Sequence, residues 1–328
     1  MNVDKRKINV AWLSVISNTL LVLFKMIIGI LIGSVSVISE AIHSGVDLLA
    51  AVIALFAVKT SSKSADEGHP FGHGKVENIS GAIEAFLIFI AAGWIIYEAF
   101  LRLIRPQPID MAILGVAVML LSAVVNIFIS QRLFKVGRET DSVALIADAW
   151  HLRTDVYTSV GVMAGLALIA AGGKIFPGRI LTWVDPVAAI VVALMIIRTA
   201  YELTIQSGRD LLDANIPEEE KWIRNEIGRL QLPIRGFHHL RTRKAGATRF
   251  VDLHVMMDKD ISIQESHRIS DQIAAWIQEK FPTTQVMVHE EPCEGGCSAR
   301  CLNGCLRSEG ERKNVQWERE RWFKRNFE

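Results

Sequence analysis

Two short segments in the most apolar part of this chain carry the same pair of side chains at the same spacing. His43 and Asp47 close the run His-Ser-Gly-Val-Asp, and His151 and Asp155 close His-Leu-Arg-Thr-Asp. Residues four apart lie on one face of a helix, so each segment presents an imidazole and a carboxylate in one direction. The likeness extends upstream, because 38–43 and 146–151 both read Ile-x-acid-Ala-x-His. Four such ligands converging between helices would make a closed tetrahedral site of two nitrogens and two oxygens. Ionisable groups at membrane depth are costly and usually mark a pathway, so the pattern points to metal transport. Glu40 and Asp148, three residues before their histidines, share the ligand-bearing face. They are either acceptors that orient the rings or charges along the access path.

Long apolar helices must position these pairs. The 328 residues are half hydrophobic, with a mean hydropathy of +0.28, which is too apolar for a soluble protein of this size. The apolar residues concentrate between 8 and about 206, and a charged, mixed composition follows. The chain therefore divides into a transmembrane domain over 1–207, a cytosolic domain over 208–292 and a cysteine-containing tail over 293–328. Six stretches reach the roughly 20 residues that a spanning helix needs: 8–33, 37–58, 79–103, 111–133, 142–171 and 184–205. The first lacks a small-residue cleavage site and is expected to be a retained span. Lys5, Arg6, Lys7, Lys59, Lys63, Lys75, Arg132, Lys135 and Arg138 fall on one side, and Arg102, Arg105, Lys174 and Arg179 on the other. The positive-inside rule then places both termini in the cytoplasm.

A second histidine cluster lies between spans two and three, in Asp66-Glu-Gly-His69-Pro-Phe-Gly-His73-Gly-Lys75. Gly68, Pro70, Gly72 and Gly74 prevent a regular helix and let the chain turn tightly, so Asp66, His69 and His73 could supply three metal ligands. The plainer reading is an exposed turn beside the membrane.

Beyond the spans the pattern reads helix, strand, strand, helix, strand. Pro217 opens a helix at its first position, with acids in the first turn. Strands at 237–243 and 249–257 flank the turn 244–248. In the second, Val251, Leu253, Val255 and Met257 share one face, and Asp252 and His254 the other. Ser262-Ile-Gln-Glu265 is a capping-box signature for a helix reaching about Lys280. The last strand, 285–290, separates Val286 and Val288 from Met287, His289 and Glu291. This order suggests a small α+β sandwich with its helices on one sheet face. Five of the nine histidines fall here: His238, His239, His254, His267 and His289. His289 and Glu291 project together from one strand, and with His254 and either His238 or His239 they could form a further metal site.

Taken together, these motifs resemble the cation diffusion facilitator family, and within it the bacterial zinc and iron efflux members. The resemblance runs from 8 to about 292. It rests on the paired His-x-x-x-Asp motifs, the loop His-Pro-Phe-Gly-His-Gly-Lys, Leu240-Arg-Thr-Arg243, Thr248-Arg-Phe250 and Val288-His-Glu-Glu-Pro-Cys293. It implies an all-α six-helix transmembrane bundle followed by a ferredoxin-like (αββαβ) cytosolic domain. The implied protein is a homodimer in the inner membrane that exports divalent metal against protons. Zinc would be both cargo and structural ion, the partners would be a second copy, lipids and metal ions, and no nucleic acid is expected. By position, His43, Asp47, His151 and Asp155 match the family's transport site, and Asp66, His69 and His73 its loop site. His238, His254, His289 and Glu291 match its cytosolic metal positions, with His267 a further ligand. Lys75 and Asp213 resemble a charge interlock between the domains of such dimers.

Two positions depart from the family pattern. Some bacterial members carry aspartate where this chain has His43, and the two-histidine form is similar to that of zinc-selective members. Glu291 stands where the nearest relatives have aspartate. Ligand chemistry agrees with zinc, because two imidazoles and two carboxylates in a closed tetrahedron suit it, whereas oxygen-only octahedra suit manganese or magnesium. Cadmium, cobalt, nickel and ferrous iron remain open. Metal binding needs neutral histidine and ionised aspartate, so protons compete for the same groups, and alternating access would couple the two.

Other function classes fit less well. A catalytic zinc keeps an open coordination position, and four protein ligands leave none, which argues against a membrane zinc hydrolase. A non-transporting metal sensor or scaffold would bind without flux. In the tail, Cys293, Cys297, Cys301 and Cys305 are each four apart. In a reducing cytosol they could form a thiolate metal cluster, yet Gly295, Gly296 and Gly304 interrupt any single helix, so an unstructured tail is the alternative. After Asn314, aromatic and basic residues alternate in a stripe that either touches the membrane surface or stays solvated.

Overall fold

Sustained apolar sequence with few internal breakers gives long helices here, and they run past the apolar stretches at their polar ends. They are α1 (Val3–Ile32), α2 (Val35–Ser61), α3 (Lys75–Ile104), α4 (Ile113–Glu139), α5 (Val143–Ile175) and α6 (Val184–Leu211). The computed structural model describes residues 3–32, 35–104, 113–175, 183–230 and 232–327. Among the described residues, α1, α2, α3, α4 and α6 each hold a segment long and apolar enough to cross a membrane. Helix α4 outlasts its apolar stretch because Arg138 in the last turn complements the negative end of the helix dipole. Large side chains such as Leu20, Phe56, Phe86 and Trp94 point outward and stay mostly exposed, as expected of a surface facing lipid.

Small residues bring the helices together. Ala50, Ala51 and Ala54 of α2 and Ala144, Ala147 and Ala149 of α5 are completely buried. Gly81 of α3 is required by a close approach, since a Cβ there would come within 2.8 Å of Ser207 Oγ on α6 and 2.9 Å of Val143 Cγ1 on α5. One buried carboxylate ties four helices. Glu77 of α3 accepts from Lys7 Nζ of α1 at 2.5 Å and from Ser61 Oγ of α2 at 2.7 Å. Its other oxygen accepts at 2.6 Å from Ser142 Oγ, whose hydroxyl in turn caps α5 through the Leu145 N–H. Lys7 and Glu77 are both buried, so each depends on the other for compensation of its charge.

The chain separates into two compact units, Met1–Leu212 and Asp213–Glu328. The second runs α7 (Pro217–Ile227), β1 (Gly236–Ala245), β2 (Thr248–Met257), α8 (Ile263–Lys280), β3 (Thr284–Pro292), α9 (Ala299–Asn303) and α10 (Glu309–Phe327). Its sheet has the order β1-β2-β3, with β1 antiparallel and β3 parallel to β2. Parallel pairing of β2 and β3 needs a crossover, which α8 supplies. The αββαβ order thus follows the sequence reading. The strands are longer than expected, and the hairpin turn shrinks to Gly246 and Ala247, Gly246 taking φ +59°.

Ser262 caps α8 by accepting from the Glu265 N–H at 3.2 Å. The expected reciprocal bond gives way to an ion pair, since the Glu265 carboxylate binds Arg268 instead. Ile223 and Ile227 of α7 and Ile269, Ile273 and Ile277 of α8 pack on Phe237, Leu240, Val251, Leu253 and Val255. This covers one sheet face and leaves the opposite face polar.

Beyond β3 the chain is folded, not free. Residues 304–306 run beside β1, with the Phe237 N–H donating to Gly304 O at 3.0 Å and the Leu306 N–H to Arg235 O at 3.0 Å. Asp258 clamps the segment by binding both Arg235 and Arg307. The side chain of Arg235 comes first among the groups that hold the Asp258 carboxyl below its ordinary range. An otherwise open sheet edge is thereby covered.

Candidate metal centres

Helices α2 and α5 bring the paired motifs together. Asp47 of α2 and His151 and Asp155 of α5 place one ligand atom each within 4.8 Å of one another. His151 Nε2 lies 3.2 Å from Asp47 Oδ1, and both side chains are buried. Close approach at this level is possible because alanines occupy the adjacent turns of both helices. His43 lies one turn before Asp47 on α2, but its side chain and that of Glu40 fall outside the described residues. Asp148, one turn before His151 on α5, is fully buried.

The donor set fits a small divalent cation. Two carboxylates and an imidazole converge in a water-poor setting, and His151 Nδ1 is buried with no hydrogen-bond partner among the described residues. Glu84 was missed by the sequence reading. This fully buried carboxylate of α3 accepts from Ser80 Oγ at 3.2 Å and lies within electrostatic reach of Asp148 and His151. A lone acid inside an apolar span was the signal that could have found it. Lys25 of α1, which donates to Ser44 Oγ at 2.7 Å, is a second such residue beside the α2 motif.

The loop after α2 gathers Asp66, His69 and His73, again with ligand atoms within 4.8 Å. Asp66 accepts from the His69 N–H at 2.7 Å, and that backbone bond is the main reason its carboxyl sits below the ordinary range. Gly72, at φ +83°, reverses the chain so that the His69 and His73 rings come within 4.4 Å of each other. His73 is largely buried against the start of α3, and its Nδ1 has no hydrogen-bond partner among the described residues. The other two members are exposed.

The third cluster spans the polar face of the sheet. His238, His254 and His289 are direct partners in register across β1, β2 and β3. Glu291 lies two residues beyond His289, on the same side of β3. Its Oε2 is 2.8 Å from His238 Nε2 and its Oε1 is 2.7 Å from His254 Nδ1, so each oxygen meets a different imidazole. Partial burial pushes the Glu291 carboxyl up, but the bonds to His254 and His238 outweigh it and hold the group below its ordinary value. His289 stands at the rim, 3.7 Å from Glu291 Oε1. His267 is not brought to this cluster within the chain, since it lies exposed on α8, 3.7 Å from Asp271.

Lys75 and Asp213 fall in different units. Lys75 Nζ donates to Leu211 O at 3.3 Å, and Asp213 accepts from Arg243 at 3.2 Å while holding φ +54°. All four cysteines are free and half-buried. Cys293 follows β3, Cys301 sits in α9 and Cys305 bridges to Gly236. None of the three clusters contains a cysteine. Burial, together with the neighbouring thiols, holds the Cys301 thiol above its ordinary value, which disfavours the thiolate that metal binding requires.

Comparison with known proteins identifies both halves of the chain. Residues 11–212 match the cation efflux transmembrane domain, and residues 217–293 match the cation efflux protein cytoplasmic domain. A transporter of Synechocystis described as uncharacterised is 35% identical over 266 residues, covering 80% of this chain and 83% of its own length. The cation-efflux pump FieF of Klebsiella pneumoniae is 32% identical over 265 residues, covering 79% and 84%. The magnetosome protein MamB of Magnetospira is 30% identical over 262 residues, covering 78% and 84%. With one match in each compact unit and relatives aligned along most of their length, this chain belongs to the cation efflux family of integral membrane transporters, also called the cation diffusion facilitators.

Proposed function

We propose that this transporter exports zinc from the cytoplasm in exchange for protons, by alternating access at His43, Asp47, His151 and Asp155. The observation that carries the reading is the convergence of buried Asp47 and His151 with half-buried Asp155, with His43 one helical turn before Asp47 on the same helix. Nitrogen and carboxylate donors in a closed set favour zinc over magnesium or manganese, with cadmium, ferrous iron, cobalt and nickel as competitors. Every ligand must lose its proton, or be without one, to bind metal, so protons arriving from the other side displace the cargo.

Glu40 and Asp148 are charges along the access path to the site, and the loop cluster of Asp66, His69 and His73 gathers metal near the membrane. His238, His254, His289 and Glu291 bind zinc structurally in a homodimer, with His267 as a further ligand. Both termini lie in the cytoplasm, and the membrane is the inner one.

Zinc flux in proteoliposomes under an imposed proton gradient tests the reading. The unaltered chain is expected to move zinc and the Asp155→Ala chain to move none. Undiminished flux in the variant rejects the site. Binding without flux in the unaltered chain identifies a sensor or scaffold instead.

A further inference from the structure

A regular strand would send His239 into the apolar core. Phe237 packs in that core and His238 faces the opposite side, so strict alternation places His239 beside Phe237 and turns Leu240 outward. The structure does the reverse. Register with β2 breaks between His238 and Arg241, His239 adopts φ +50°, and Leu240 is the residue that returns to the core. The extra residue of a β-bulge commonly re-aims a side chain. Here it ejects His239 from the apolar face onto the side that carries the sheet cluster.

The rings that result form a near-equilateral group. The His239 centroid lies 4.8 Å from that of His238 and 4.9 Å from that of His254, and the last two are 5.1 Å apart. The three ring planes meet at 53°, 44° and 60°, so they are turned against one another and not stacked. Imidazoles bound through nitrogen at about 2.0–2.1 Å around one tetrahedral ion keep their centroids about 5 Å apart, which is the spacing found here. A left-handed backbone at a residue bearing a Cβ is held by its surroundings, and such conformations gather at ligand sites.

We infer that His239 is a metal ligand of the sheet cluster, delivered to it by this bulge. The inference rests on the reading that His238, His254 and Glu291 bind a divalent cation. The His239 ring borders that three-member core without yet adding an atom to it, so ligation requires rotation about its side-chain torsions. With His238, His254 and Glu291 it makes a closed set of three nitrogens and one carboxylate, taking the place of His289, which stands at the rim 3.7 Å from Glu291 Oε1. That donor set draws the site toward zinc, cobalt, nickel or copper and away from manganese and magnesium. The plainer reading is that histidine merely tolerates the left-handed bulge position.

Two substitutions separate these readings, because asparagine and glycine both accept positive φ and both remove the imidazole. Each is made in the full-length chain on an Asp47→Ala, His73→Ala background, which silences the other two clusters. Zinc affinity is measured by calorimetry and ligand environment by the visible absorption of bound cobalt(II). His239→Asn and His239→Gly are expected to lower zinc affinity at least tenfold and to shift the cobalt bands, while metal-free thermal stability holds or rises for His239→Gly. Parental affinity and an unchanged cobalt spectrum in both variants overturn the role of His239. A His238→Ala control that binds zinc as the background chain does shows instead that the cluster is not a metal site, which removes both readings.

Discussion

The cluster of Asp47, His151 and Asp155 and the cluster of His238, His254 and Glu291 use the same donor types in opposite settings. The first is buried between helices that meet through alanines, and a ring nitrogen of His151 lacks a hydrogen-bond partner among the described residues. The second lies half-exposed across three hydrogen-bonded strands, with both oxygens of Glu291 already met by imidazoles. Helices packed through small residues can shift against one another, whereas a ladder of backbone hydrogen bonds fixes its side chains relative to each other. Under the proposed function, the first setting suits release of an ion and the second its retention. A buried site whose groups lack hydrogen-bond partners is open to protons as well as to metal, so the two exchange there.

That contrast can be broken most sharply at the membrane cluster. Asp155→Ala should reduce proteoliposome flux by more than the roughly 10–100-fold that loss of an outer-shell partner costs, while calorimetry still finds zinc bound at the sheet cluster. Equal loss at both sites would dissolve the distinction. The scaffold of the membrane unit is tested by Glu77→Ala, which strands Lys7 in a buried position and should cost about 3–5 kcal/mol of stability. Thermal unfolding in detergent reads this out, and Lys7→Met with Glu77→Leu together should recover much of the loss. His238→Ala should weaken zinc binding at the sheet cluster by more than the roughly 10–100-fold of an outer-shell partner yet change flux only a few-fold, which would mark that site as structural.

The smallest effect concerns the sheet edge. The folded-state pKa of Asp258 is lowered, chiefly by Arg235, so its contribution is complete above the ordinary carboxylate value near 3.8 and is lost as pH falls through the lower folded value. Because the side chain is 45% exposed, screening keeps this below about 1 kcal/mol. Protease sensitivity of the segment after β3 should rise as pH drops below about 4, and Asp258→Asn should raise it at neutral pH and remove that dependence.

Legibility in the sequence varied with the range of the interaction. The helix and strand order was readable because apolar periodicity and caps are local, as with Pro217 at the start of α7 and Ser262 before α8. The convergence of Asp47, His151 and Asp155 was foreshadowed by two i,i+4 pairs, of which the side chain of His43 lies outside the described residues. Glu84 was not, because a single acid carries no spacing, and its relevance appears only when α3 packs beside α5. His267 shows the converse. It carries a ligand-type side chain, but α8 turns its apolar face to the sheet and leaves His267 outside the cluster of its own chain.

What the sequence by itself determined is the chemical inventory and its local geometry: which helices carry imidazole and carboxylate together, and which strand residues share a face. These follow from fixed repeats of 3.6 and 2 residues. Only the tertiary structure decided which distant pieces meet. The Glu77 tie among four helices, the bulge that turns His239 out of the core and the strand-like closure by residues 304–306 all depend on contacts far apart in the chain. No local repeat encodes such contacts, because they are selected by packing, by burial of charge and by the need to pair every backbone group.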